Sequence, residues 1–249
     1  MNMNMNMNMN LDRVHDKLLS LLKDFHKVCV ENKIDYSLGY GTAIGAVRHH
    51  GFIPWDDDAD IIMDYDNYCK LTEVLPNDFE IHQNRLWIPR FFKKNSSLDI
   101  DILVLCSISN KKFKRMTKVY LLRFLQGTLK SRPTLNKGVL NALFSIITFL
   151  SGKLFSYRTK IQLYNLISSS FLNGKSLLFS AYDDFSLIKN IYPKDITSSY
   201  SKVKFEDAEL MLLDKYDEYL KIIYGDYMKL PPESERVPAH SNISNIELE

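Results

Sequence analysis

Four carboxylates stand within five positions of the chain, at Asp56, Asp57, Asp58 and Asp60, and an apolar run at 61–63 follows them. Side chains alternate faces along an extended chain, so Asp58 and Asp60 would point the same way with their Cα atoms about 6.6 Å apart. Two carboxylates at that spacing can converge on a hard cation, and Mg²⁺ prefers such oxygen ligands together with phosphate and water. The pattern predicts a metal site, with a solvated acidic loop as the alternative interpretation.

A glycine-rich turn, with Gly39, Gly41 and Gly45, precedes the acidic run and leads into a short helical pattern. Backbone N–H groups at the start of a helix attract anions, so Gly41 and the hydroxyl of Thr42 are candidate phosphate contacts. A plain helix cap at Thr42 is the alternative. Arg48 is a candidate phosphate clamp, although a cation near a helix C-terminus can also be purely structural. Carboxylates beside a phosphate cradle favour phosphoryl transfer.

The clearest strand pattern of the chain is SLDIDILVLC, residues 97–106, in which Asp99 and Asp101 are two positions apart. A carboxylate in an otherwise apolar strand is costly unless something compensates its charge, and a bound cation would do so. This strand therefore supplies further candidate metal ligands. Its spacing matches that of Asp58 and Asp60.

The stretch GYGTAIGAVRHHGFIPWDDDAD, residues 39–60, resembles the signature of the LicD family, which comprises bacterial phosphocholine transferases and is related to fukutin and fukutin-related protein. Tyr40 stands where the family more often has glycine. In the strand 97–106, Asp101 matches the aspartate of a later family motif, whereas Asp99 has no equally clear counterpart. Near the C-terminus FE, YGDYM, PP and a following basic residue also match. His240 matches a family histidine and is a candidate ligand contact.

The resemblance implies an α/β fold over residues 11–249, with a small mixed nucleotidyltransferase-like sheet flanked by helices. The basic middle of the chain lacks matches to the family and is predicted to form a basic helical insertion. It implies Asp58, Asp60 and Asp101 as catalytic carboxylates and as ligands of Mg²⁺ or Mn²⁺, with Asp101 also a candidate general base. The implied donor is a CDP-alcohol, most commonly CDP-choline. The implied acceptor is a glycan or lipid-linked glycan of the cell surface, such as lipopolysaccharide, capsule or teichoic acid.

Two other classes of function stay open at the level of the sequence. An enzyme of the nucleotidyltransferase fold could transfer the nucleotide itself to a small molecule or RNA, and its product would then carry CMP. A non-catalytic member could act as a scaffold for glycan assembly. The intact Asp58, Asp60 and Asp101 disfavour the scaffold.

The middle of the chain is strongly basic. Residues 102–182 contain no Asp or Glu and 13 Lys or Arg, whereas the rest of the chain has 19 basic and 30 acidic residues. Apolar residues at helical spacing within it predict a basic helical subregion over 111–175. Such helices favour peripheral contact with an anionic membrane surface or another polyanion, with packing on the acidic core as the alternative. No nucleic-acid-binding motif is present, so no nucleic acid is expected.

The remaining features bear on localisation. Residues 1–10 are five Met-Asn repeats, a low-complexity tail predicted to be disordered. Cys29, Cys69 and Cys106 form no zinc pattern and indicate a reducing compartment. No secretory signal pattern opens the chain and no apolar run reaches the length of a spanning helix. We therefore expect a cytoplasmic protein with a peripheral contact on the inner face of the membrane.

Hydrophobic periodicity and turn residues predict the elements around the candidate site. They are a helix over 11–32, a strand over 36–38, a helix over 42–49 capped by Thr42 and ended by Gly51, a strand over 60–64, and a helix over 214–224.

Overall fold

The computed structural model describes residues 2–83, 87–134, 138–183 and 185–238, with the backbone alone for residues 2–9. The predicted α/β fold class is confirmed, since helices and strands alternate along much of the chain. The helices are α1 Asn2–Glu31, α2 Tyr40–His49, α3 Tyr65–Val74, α4 Lys112–Leu129, α5 Val139–Gly152, α6 Tyr157–Ser170 and α7 Tyr216–Tyr224. The strands are β1 Ser37–Leu38, β2 Asp60–Asp64, β3 Phe79–His82, β4 Arg90–Lys93, β5 Asp99–Ile108, β6 Leu177–Ser180, β7 Ile191–Pro193, β8 Tyr200–Phe205 and β9 Ala208–Leu213.

The described chain divides into two compact units. The first contains residues 2–82, 90–103 and 196–238. The second contains residues 83, 87–89 and 104–195 without the gaps noted above. Strand β5 contributes its first half to the first unit and its second half to the second.

The first unit is built on a sheet with the strand order β1-β2-β5-β4-β3. Helix α1 packs in this unit through one apolar face. The apolar side chains recur at steps of three and four residues, and Leu18, Leu22, Phe25 and Cys29 are all buried. The helix predicted from residue 11 is confirmed and ends at Glu31. The structure continues it back to Asn2, across the repeat that the sequence predicted to be a disordered tail.

Helix α2 differs from its prediction at both ends. It begins at Tyr40 rather than after Thr42, and its C-terminal left-handed position is taken by His50, with φ of 57°, rather than by Gly51. Thr42 cannot act as the cap because it already lies inside the helix. Gly51 is needed for another reason: a Cβ atom there would collide with the carboxylate of Glu206.

Tyr40 occupies the position where the family more often has glycine, and its φ is 42°. A left-handed backbone costs a non-glycine residue about 1–2 kcal/mol, so a glycine would adopt this conformation more easily. Tyr40 offsets this cost by burial, since its ring packs edge-on against Tyr219 and Tyr224 with centroid distances of 6.0 and 6.4 Å.

The second unit joins the end of β5 to β6 and β7, both pairings being antiparallel. Helices α4, α5 and α6 of this unit lie within the basic subregion predicted over 111–175. In the described ranges, no single helix is long and apolar enough to cross a membrane. Helices α5 and α6 would pass such a test together, but the chain bends by 116° between them.

Candidate active site

The two carboxylate-bearing segments lie on neighbouring strands of the first unit. Strands β2 and β5 are adjacent, and the N–H of Asp101 donates to the carbonyl of Ala59 at 3.0 Å. The carbonyl of Asp60 in turn accepts from the N–H of Gly39 at 2.9 Å. The backbone of the acidic segment is therefore held between the glycine turn and β5, with Asp60 one residue from the contact to Asp101.

Arg90 of β4 contacts the carboxylates of β5. Its Nη1 lies 3.2 Å from Asp99 Oδ2 and its Nε lies 3.0 Å from Asp101 Oδ1. Arg90 is opposite Asp101 in the antiparallel register. The Nε–Oδ1 contact is an ion pair without hydrogen-bond alignment. One guanidinium thus holds both carboxylates on the same face of the sheet, a role that the sequence analysis missed.

The acidic run after α2 is crowded and partly buried. Burial, followed by the charge and hydrogen bond of Asp58 and the charge of Asp57, raises the pKa of Asp56 to about 8. The side chain of Asp57 is fully buried. Burial and neighbouring carboxylates therefore disfavour the ionised form of Asp56, and a bound cation would reverse this effect.

Asp56 also faces the start of α2, where phosphate contacts were predicted. A Cβ atom on Gly41 would lie 2.6 Å from Asp56 Oδ2, so this glycine permits the close approach of the carboxylate. Thr42 is buried, and its Oγ1 accepts a hydrogen bond of 2.8 Å from the N–H of Asp60. Its hydroxyl therefore tethers the carboxylate strand to α2.

Two residues distant in sequence hold the loop between α2 and β2. His15 of α1 lies with its Nε2 2.7 Å from the carbonyl oxygen of Asp56, and its ring stacks on Phe52. Glu206, at the turn between β8 and β9, accepts from the N–H of Phe52 at 3.0 Å. This contact explains the FE pair noted in the sequence, because Glu206 fixes the chain as it enters the acidic run.

Arg48 lies at the other end of α2, against the C-terminal segment. Its Nη1 donates to the carbonyl of Tyr227 at 2.9 Å and its Nε to Nε2 of His49 at 2.9 Å. Burial and the nearby charge of Arg236 lower the pKa of Arg48. Arg236 itself stacks over the ring of Trp55 at 5.5 Å. Two cations are thus collected beside the acidic loop.

His240, the remaining candidate contact, lies outside the described residues. Arg236 is the basic residue that follows Pro231 and Pro232, and it stacks on Trp55, which brings the C-terminal segment against the loop before β2.

The donor chemistry fits a hard cation, since Asp58, Asp60 and Asp101 offer only oxygen ligands. Within the part of the chain that the structure describes, no three His, Cys, Asp or Glu side chains are gathered as a ready-made metal cluster. Asp101 is instead paired with Arg90. A cation that binds Asp101 would have to compete with this guanidinium.

Comparison with known proteins decides the family. A family model described as LicD/FKTN/FKRP, nucleotidyltransferase domain, matches residues 33–124. The lipopolysaccharide cholinephosphotransferase LicD of Haemophilus influenzae is 31% identical over 252 residues, which cover 89% of this chain and 92% of that protein. The chain belongs to the LicD family. The resemblance inferred from the motif is confirmed.

Two further matches cover shorter stretches of the chain. An uncharacterized protein of Rickettsia typhi is 36% identical over 75 residues, covering 28% of this chain and 24% of its own. An uncharacterized protein of Rickettsia prowazekii is 44% identical over 59 residues, covering 24% and 22%.

Most of the candidate site residues lie inside the stretch matched by the family model. That stretch contains Gly41, Thr42, Arg48, Asp58, Asp60, Arg90 and Asp101. Arg236 and His240 come after it.

Proposed function

We propose that this LicD-family protein is a transferase that moves phosphocholine onto lipopolysaccharide. The observation that carries the proposal is the 31% identity to a lipopolysaccharide cholinephosphotransferase across nearly the whole of both chains. The intact carboxylates on adjacent strands β2 and β5 support it, because such a site suits phosphoryl transfer.

The donor in this proposal is a CDP-alcohol, CDP-choline in the first instance. A hydroxyl of the glycan attacks the phosphorus that carries choline, the bond from that phosphorus to CMP breaks, and a phosphodiester to the glycan forms. The hydroxyl proton passes to a carboxylate, for which Asp101 is our candidate. Positioning and charge compensation account for most of the acceleration in such reactions.

Asp58, Asp60 and Asp101 would hold Mg²⁺ or Mn²⁺, which neutralises diphosphate charge when bound. Arg90 keeps Asp99 and Asp101 on one face of the sheet. If a cation bound the carboxylate of Asp101, Arg90 would be able to pair with a phosphate of the donor instead. Gly41 and Arg48 are the proposed phosphate contacts beside the start and end of α2.

The proposed acceptor carries a lipid, so we place the reaction at the cytoplasmic face of a membrane. The basic stretch 102–182 supports this placement, because anionic lipid attracts a one-signed cationic surface. Capsule and teichoic acid are alternative acceptors of the same chemical class.

The test is an incubation of the purified protein with CDP-choline, Mg²⁺ and lipopolysaccharide, in which released CMP and glycan-bound choline are measured together. We expect equal amounts of both. Glycan that carries CMP instead would establish nucleotide transfer, and no turnover with any CDP-alcohol would favour the scaffold.

Asp99→Asn is the matched control for Asp101→Asn, since Arg90 holds both carboxylates but only Asp101 is a proposed ligand.

A further inference from the structure

Helix α5 exposes a continuous apolar face. It contains no charged residue, and five of its large apolar side chains are at least 49% exposed: Val139, Leu140, Leu143, Ile147 and Leu150. At 3.6 residues per turn these positions fall within an arc of about 100°. Single exposed apolar residues are ordinary in soluble proteins, but a contiguous face indicates a binding surface.

The buried side of α5 is made of small and weakly polar residues. Ser145, Thr148 and Gly152 are buried, on the side of the helix opposite the exposed arc. A helix that folds in water shows the reverse, with its large apolar side chains inside. The arrangement in α5 places the most hydrophobic surface outward, which is stable when the surroundings are apolar.

The contact between α4 and α5 has the form that helices adopt in lipid. A Cβ atom on Gly127 would lie 2.5 Å from Thr148 Oγ1, and one on Gly152 would collide with the carbonyl of Thr128. Thr148 donates to the carbonyl of Ser145 at 3.1 Å. Close backbone approach through small residues and internally bonded hydroxyls replaces hydrophobic burial as the source of packing energy in membranes.

Cations precede and follow α5 along the chain. Lys130 and Arg132 precede α5, Lys153 and Arg158 follow it, and the surrounding stretch 102–182 has no carboxylate. Each Lys or Arg near an anionic bilayer adds electrostatic attraction to it. A second copy of this chain would bring the same positive charge to the contact, so charge favours lipid over self-association.

The length of α5 defines how it would meet the lipid. Its 14 residues extend about 21 Å, less than the ~30 Å hydrocarbon layer. The chain bends by 116° before α6, so the pair does not continue as one rod. Leu154 and Phe155, which are 80% and 54% exposed, extend the apolar surface into the intervening turn.

We propose that the outer face of α5 and the turn at Leu154 and Phe155 insert into the outer hydrocarbon of an anionic bilayer, with the flanking cations at the headgroups. The helix lies in the membrane surface and does not span it. This interaction rests on the second unit alone and goes beyond the proposed reaction. Because insertion of apolar area is not screened by salt, high ionic strength weakens the binding without abolishing it.

The experiment is flotation of the full chain with vesicles of phosphatidylcholine and phosphatidylglycerol at low and high salt. The variant Leu143→Ser/Ile147→Ser/Leu150→Ser should lose at least tenfold in vesicle affinity and keep its circular dichroism and Tm, since these side chains are already exposed in water. The matched control is Val30→Ser/Val74→Ser/Ile222→Ser, three exposed apolar residues of the first unit, which should float like the wild type.

A second measurement reports insertion directly. Tryptophan placed by Leu143→Trp should be quenched by lipids brominated on their acyl chains, whereas Val30→Trp should not. Undiminished flotation of the triple variant, absence of quenching, or complete release of the wild type at high salt would each overturn insertion. If the wild type instead forms a dimer and does not bind vesicles, and the triple variant is a monomer, the face binds a second copy of the chain. Turnover of a soluble acceptor tests the proposed reaction separately.

Discussion

At the scale of single residues, Arg90 compensates the negative charge of the carboxylates on β5. It contacts Asp99 and Asp101, whereas Asp56, Asp57 and Asp58 lie close together in the loop before β2. The two carboxylate-bearing segments therefore differ: Arg90 compensates the charge on β5, whereas burial and neighbouring carboxylates disfavour the ionised form of Asp56. A divalent cation would change this balance on both sides.

We expect Asp58→Asn, Asp60→Asn and Asp101→Asn each to lower transfer about 100-fold or more, because a missing charged ligand weakens transition-state stabilisation. Asp58→Asn should also raise Tm slightly, since removing one charge relieves repulsion around Asp56. CMP release and thermal denaturation measure the two effects. Full activity in EDTA, or in any two of these variants, would contradict the metal assignment.

Thr42 offers a second test at this scale. Thr42→Val removes the acceptor of the Asp60 N–H, so it should lower the free energy of unfolding by about 1–3 kcal/mol and reduce kcat, while KM for CDP-choline stays near its wild-type value. Thr42→Ser keeps the hydroxyl and should restore both. If Thr42 instead contacts donor phosphate, KM will rise in the valine variant with little change in Tm.

At the scale of elements, Lys118 ties three parts of the second unit together. It projects from α4 and is fully buried, and its Nζ donates to the carbonyl of Ser107 on β5 at 3.0 Å and to that of Ser168 on α6 at 2.8 Å. A third bond of 2.7 Å goes to Asn173 Oδ1. Burial lowers the pKa of Lys118 to about 8.

Lys118→Met should lower the free energy of unfolding by about 3 kcal/mol, because it leaves buried carbonyls without donors. The pH dependence has a definite sign. The native lysine releases its proton near pH 8 and the unfolded one near 10.5, so the unfolded state binds more protons between these values and wild-type stability gains with rising pH. Urea denaturation of both proteins from pH 7 to 10.5 should show their stability difference widening; a constant difference would contradict the buried charge.

Local sequence signals predicted the elements around the site well, because α1 and β5 have clear periodicities. The two pairs of carboxylates two positions apart, Asp58 with Asp60 and Asp99 with Asp101, are likewise visible in the sequence. Arg90 was missed because its role depends on the register between β4 and β5, which a local pattern does not specify. Glu206 was visible only as part of a motif, since its contact to the loop after α2 spans more than 150 positions.

Helix α5 shows another limit of sequence patterns. Its apolar content predicted a helix, but periodicity alone cannot say whether the apolar arc faces a protein core or another solvent. The buried Ser145, Thr148 and Gly152 make the distinction, and this requires knowing which side packs on α4.

At the scale of the whole molecule, charge is divided along the chain: 102–182 carries 13 basic and no acidic residues, and acidic residues exceed basic ones elsewhere. A near-neutral total therefore conceals a strong asymmetry. Such a distribution raises the local concentration of the protein at an anionic surface without altering the chemistry of its site.

Charge reversal of Lys112, Lys114 and Arg115 should therefore lower transfer to lipopolysaccharide embedded in anionic vesicles, and the loss should shrink as salt screens the wild type. Turnover of a short soluble glycan should change less than twofold. Parallel assays with both acceptors make the comparison. An equal loss of turnover with both acceptors would mean that these residues shape the active site. Unchanged turnover with both acceptors would contradict a role for membrane binding in the reaction.

The two sides of α5 should also differ in how freely they drift during evolution. A bilayer is fluid and imposes no fixed shape on the side chains that it contacts. Leu143, Ile147 and Leu150 can therefore be replaced by other aliphatic or aromatic residues as long as the side chain is apolar. Gly152 has no such freedom, because the carbonyl of Thr128 already occupies the space of a side chain. Random mutagenesis of this helix should yield a tolerant outer stripe of interchangeable residues and an inner stripe that rejects every enlargement.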